Sequence, residues 1–189
     1  MIHIKELKDM DTISGQMNLI LRAGMTWRDL ATWLRAYIIS TFAGLSDQEV
    51  VRQRLNKIPL EFSNIFTLFF GDQISNTYTN LLSSYITSIE SLIDALKNGD
   101  DTAVNGYMEQ IHHIIHQITA MLSEINPFWQ ESEWRALLFR HLMLTIDESN
   151  AFLSGDYVKS TEIFDTLLSH DAETVDYFSN GLFKYIISS

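Results

Sequence analysis

Only eight Gly and two Pro occur in 189 residues, so this chain has very few places where a helix must stop or a tight turn can form. An all-β sandwich needs turn residues roughly every ten positions and cannot be assembled from so few. Between the breaks, apolar residues recur at intervals of three and four, the period of one helical face. Trp27, Leu30, Leu34, Tyr37/Ile38, Thr41 and Leu45 form the first such stripe, with Gly44 placed to stop it. Ser46-Asp47-Gln48-Glu49 then reads as a capping box opening a short helix. Pro59 ends that helix and suits the first turn of the next, in which Phe62, Ile65, Phe66, Phe69 and Phe70 lead to Gly71.

Four longer stripes follow. Ile74, Tyr78, Leu81, Tyr85, Ile89, Leu92 and Leu96 run to Asn98-Gly99-Asp100. The next extends from Val104 to Ile125 and stops at Asn126-Pro127. A third covers Trp134 to Leu153 and stops at Ser154-Gly155-Asp156; a fourth carries Phe164, Leu168, Val175, Phe178, Leu182 and Tyr185/Ile186. Short turns between long helices force antiparallel neighbours, so the expected fold is an all-α antiparallel bundle of about five long helices plus short connecting ones. One domain over 1–189 is expected, with 1–20 as a loosely packed N-terminal extension. A shift of 56 places Leu81-Leu82 on Leu137-Leu138, Tyr85 on His141, Ala95 on Ala151 and Gly99-Asp100 on Gly155-Asp156. Two similar helical hairpins, 72–125 and 128–187, are the physical reading of that repeat.

Thirteen basic side chains against 24 acidic ones leave a net charge of −11, which repels phosphates and argues against a nucleic-acid partner. The absence of Cys removes disulfides, thiolate nucleophiles and Cys-ligated metals together. The first eleven residues lack the apolar run of a signal peptide, and no stretch reaches the roughly 18 apolar residues of a membrane span. A soluble, cytoplasmic chain is the expectation.

Histidines are the main candidates for chemistry. His112 and His116 stand four apart on one helix, and Glu109-Gln110-Ile111-His112 has the Glu-x-x-His form found in di-iron bundles. No second such motif exists, and these histidines flank the apolar stripe rather than sit in it, the ordinary position of edge residues. His141 lies 14 residues before Gly155 and His170 lies 14 after Asp156, so an antiparallel hairpin sets them at one height. Tyr85 occupies the corresponding level of the other hairpin, and Glu148 follows two turns along the face of His141. A polar layer of Tyr85, His141, His170 and Glu148 is therefore expected. It is either structural, with each imidazole hydrogen-bonded, or a ligand site in which His141 and His170 hold a divalent metal. Trp129 and Trp134 read as core plugs, and no Gly-rich phosphate loop or nucleophile elbow is present.

The segments Ile125-Asn-Pro-Phe-Trp129 with Trp134, Leu138-Phe-Arg-His141-Leu-Met-Leu-Thr145 and Phe69-Phe-Gly-Asp72 carry a resemblance to a family of small all-helical proteins common in Bacillus-like bacteria. Weaker pieces are Arg54-Leu55 with Pro59, Trp33 with Arg35, and Gly155-Asp-Tyr157, and the likeness spans about Leu21 to Ile187. The resemblance implies an all-helical fold and no established activity. Some members bear the label acetylglutamate kinase, which does not suit this chain: such kinases are α/β proteins with Gly-rich phosphate loops. The chain also departs from the family pattern, with Leu30 and Tyr85 where the family usually has His, and Ile58 and Ile114 at or near positions of Asn.

The function expected from all of this is non-catalytic binding of a protein or small-molecule partner between helices. A metal-dependent enzyme on a bundle scaffold is the competing expectation.

Overall fold

Residues 4–188 are described by the computed structural model, and among them the side chains of 17, 18 and 21–188. Six helices account for almost all of this span: α1 (Ile4–Ala43), α2 (Gln48–Leu55), α3 (Ile58–Asn98), α4 (Asp101–Ile125), α5 (Glu131–Leu153) and α6 (Tyr157–Ser188). The five long ones close into a ring in which α1 touches α3 and α6, α3 touches α4, α4 touches α5, and α5 touches α6. The fold is an all-α bundle; no strand occurs among the described residues, so the architecture of an α/β kinase is not formed here. No helix of the described residues is long and apolar enough to cross a membrane. The backbone expected as a loose extension over 1–20 belongs from Ile4 onward to α1, while the packing of side chains 1–16, 19 and 20 lies outside the described residues.

Glycine marks the breaks. Among the described residues, Gly44, Gly71, Gly99 and Gly155 are those with positive φ, a region that β-carbon-bearing residues avoid. At Gly71 the backbone leaves helical values (φ 78°, ψ 172°), so α3 is two helices joined by a kink where the sequence placed a stop. The turns at Gly99 and Gly155 repeat each other at the 56-residue shift. Gly99 N–H donates to Leu96 O and Asp100 N–H to Ala95 O; Gly155 donates to Phe152 O and Asp156 to Ala151 O. These bonds cap the carbonyls that a helix end leaves open. The Asp100 carboxylate then accepts from Ala103 N–H, as Asp156 does from Lys159 N–H, so each aspartate opens the following helix.

The expected capping box at Ser46 and Glu49 is not formed. Helix α2 starts after Asp47, whose carboxylate makes no cap bond and instead accepts from Ser40 Oγ at 2.9 Å. Clamps to α1 and α3 hold this short helix: Gln48 donates to Thr41 Oγ1 at 2.9 Å, and Arg52 pairs with Asp94 at 3.0 Å. Arg54 lies over the Trp33 ring, 5.1 Å from its centre.

Trp129 and Trp134 are core plugs as expected, both almost fully buried. Asn126, extended as a residue before proline must be, accepts from Phe128 N–H and turns the chain so that Trp129 drops inward. There it stacks on Phe178 at 5.2 Å and meets Trp134 edge-on at 5.7 Å, and Trp134 in turn lies 6.3 Å from Trp27. This plug requires Gly181, because a β-carbon at that position would occupy the place of the Trp129 indole nitrogen. Gly181→Ala is expected to lower unfolding stability by about 1–3 kcal/mol in urea titrations. Gly106→Ala, in open space within α4, is the control and should be neutral or stabilising by up to ~1 kcal/mol. Equal stability of the two variants would contradict the packing described.

Candidate functional site

Three helices bring polar side chains together at mid-height of the bundle. α3 contributes Tyr85, α5 contributes His141, and α6 contributes His170 and Asp171; all four are at least 98% buried. Tyr85 and His141, equivalent positions of the two hairpins, meet with the phenol oxygen 3.3 Å from Nδ1. The other imidazole nitrogen, Nε2, lies 3.9 Å from an Asp171 oxygen. We assign the hydrogen of the neutral ring to Nε2, since the carboxyl favours an N–H facing it and Nδ1 then accepts from Tyr85 O–H. At 3.9 Å the Nε2–H and the carboxyl do not close a hydrogen bond. Neither oxygen of Asp171, nor His141 Nε2, nor the indole nitrogen of Trp27 has a partner within the chain.

His170 does not complete a facing pair with His141. Its Nε2–H donates to Leu137 O at 2.8 Å, one turn away from His141 on α5, and its Nδ1 lies 3.6 Å from the exposed carboxylate of Glu173. His170 is still near enough to His141 to disfavour its protonation. Glu148 leaves the expected layer altogether: seven residues along a helix is about 10 Å. It is buried in an ion pair with Arg35 of α1, whose guanidinium also lies 4.5 Å from the Phe164 ring centre.

Burial dominates the electrostatics. It holds the His141 imidazole down to about 3, reinforced by the neighbouring His170. It pushes the Asp171 carboxyl up to about 7; Trp27 lies near enough to favour the ionised form without closing a hydrogen bond of normal geometry. Glu148 is likewise raised by burial to about 7 against the opposing pull of Arg35. Tyr85 is pushed well above the usual phenol range by burial and by Asp171.

Glu109, His112 and His116 all lie exposed on α4, the two imidazoles packing edge-on against Phe139 at 4.8 and 5.8 Å. Among the described residues no three of His, Asp or Glu are placed to hold a metal ion together. Leu30 and Tyr85 line the same small void as His141.

Sequence reasoning missed Asp171 and Arg35. The buried face of α6 runs Leu167, Asp171, Thr174, Phe178, Leu182, a three-and-four series in which Asp171 is the one ionisable member. Phasing that stripe on Leu168 and Val175 hid it; both are only half-buried. Asp171 also lines a cleft of about 740 Å³ between α1 and α6, whose apolar walls include Leu21, Met25, Leu168 and Val175. Comparison of the chain with family models, with curated proteins and with solved structures finds no match in any of the three.

A carboxyl with a raised pKa binds a proton in the folded chain that it has lost in the unfolded one, where it titrates near about 4. The stability gained from Asp171 and Glu148 is therefore complete below about pH 4 and lost as pH rises through about 7. His141 acts oppositely, because the folded chain refuses a proton that the unfolded chain takes below about pH 6.5, so acid weakens the fold. Asp171→Asn should flatten the decline in urea-unfolding stability between about pH 5 and 7.5. A slope identical to that of the parent chain would contradict the protonated, buried carboxyl.

Proposed function

We propose that this chain is a ligand-binding helical bundle that takes a small, mainly apolar molecule into the cleft between α1 and α6. The single observation carrying this reading is Asp171, a wall residue of the cleft whose carboxyl is buried beside Trp27 and His141 with no partner of its own. An unpartnered buried carboxyl costs on the order of 1–3 kcal/mol or more, so one retained at a cleft wall calls for a functional explanation. The cleft volume of about 740 Å³ falls in the usual range for small-molecule sites, and apolar walls with a few convergent polar groups are their usual lining.

N-phenyl-1-naphthylamine, a neutral apolar fluorophore that brightens on leaving water, is the test ligand. It should bind the intact chain one to one and fail to bind Ala172→Trp, in which an exposed wall position of α6 fills the cleft with an indole. Undiminished binding to that variant, or none to the parent chain, would contradict the reading.

A further inference from the structure

The cleft between α1 and α6 carries a cation at one end. Gly24 packs against Val175, and further along α1 Arg35 reaches Ser160 and Thr161, so the two helices run antiparallel past each other. Arg28, one turn on from Gly24, therefore stands at one end of the cleft, and Met17, two turns back, stands at the other. The eleven residues between them span about 16 Å along α1. Leu21 and Met25 lie along that length, 59% and 69% exposed, an open apolar wall with Leu168 and Val175 opposite on α6.

In a chain with 24 acidic side chains against 13 basic ones, an arginine finds a carboxylate easily, and five of the seven do so. Arg28 does not: among the described residues its guanidinium has neither an ion pair nor a hydrogen bond. Asp29, its neighbour in sequence, is taken by Arg54 at 3.5 Å. Asp176, the exposed acid of the cleft, stands beyond Val175, about 8 Å from Arg28 along the helix axes. Asp171 turns its carboxyl inward to within 3.9 Å of His141, with both oxygens buried.

Building on the cleft reading above, we infer that the ligand is a free long-chain carboxylate of about a dozen carbons whose head pairs with Arg28. The guanidinium presents a planar fork of N–H donors that matches the two carboxylate oxygens. From there the hydrocarbon chain runs along Leu21 and Met25 towards Met17, covering apolar side chains that otherwise face water. A cationic head would be repelled by Arg28 and drawn instead to Asp176, midway along the cleft, which leaves only half of the apolar length for its chain.

The test is displacement of bound N-phenyl-1-naphthylamine by octanoate, dodecanoate and dodecyltrimethylammonium, each below its micellar concentration, with calorimetry of each competitor alone. Dodecanoate should bind at least about tenfold more tightly than octanoate, since each buried methylene adds up to about fourfold. It should also bind more tightly than dodecyltrimethylammonium, although the chain's net charge of −11 favours the cation. Arg28→Gln should weaken dodecanoate roughly 3–10-fold relative to the fluorophore, and Arg28→Lys, which keeps the charge without the fork, should recover part of the loss. Asp176→Asn should strengthen dodecanoate and weaken the cation. The carboxylate inference is overturned, with the cleft reading intact, by any of three results. These are equal affinity for octanoate and dodecanoate, a cation bound as tightly as dodecanoate, or a dodecanoate-to-fluorophore ratio unchanged in Arg28→Gln. Failure of the fluorophore and of every competitor to bind overturns both readings.

Discussion

A neutral imidazole held far from water at the centre of the bundle is the constraint around which the rest is arranged. His141 is 2% exposed, and burial keeps it from taking a proton until about pH 3. Such a ring must find partners within the fold or weaken it. Tyr85 of α3 supplies one, Asp171 of α6 stands just beyond reach of the other nitrogen, and Trp27 of α1 presents a second donor beside the same carboxyl. Four of the five long helices therefore converge on one residue. The one bond closed there, Tyr85 to His141, ties the heights of α3 and α5 directly.

The turns make the convergence possible. Because the bends at Gly99 and Gly155 use the same hydrogen bonds and are each followed by an aspartate cap, both hairpins leave their turns with the same geometry. Positions 14 residues back from each glycine, Tyr85 and His141, then reach one level and touch. The aromatic chain from Trp27 through Trp134 and Trp129 to Phe178 fills the adjoining layer, and Gly181 leaves room for it. Shape on that side is set by large rings, and charge on the other by the Arg35–Glu148 pair.

What could be read from the sequence was whatever depends on local spacing. Helix boundaries followed glycine, proline and period, and the pairing of Tyr85 with His141 followed from equal distances to matching turns. What could not be read depends on rotation about the helix axis and on partners distant in sequence. Glu148 looked like a companion of His141 because they share a face of α5, yet Arg35, 113 residues away, claims it. Asp171 was hidden by a stripe phased one residue late, and the capping box at Ser46 failed because the helix opens after Asp47, whose carboxylate is held by Ser40. Each miss is a competition between side chains that a one-dimensional pattern does not contain. The cleft itself, made by two helices at opposite ends of the chain, has no signature in either helix alone.

The central claim is the state of one ring, and nitrogen-15 NMR of histidine-labelled protein measures it directly. The account predicts that His141 is neutral with its hydrogen on Nε2, Nδ1 accepting from Tyr85, and no titration between about pH 5 and 8. A hydrogen found on Nδ1, or a His141 resonance that titrates near about pH 6.5 as an exposed imidazole does, would contradict it.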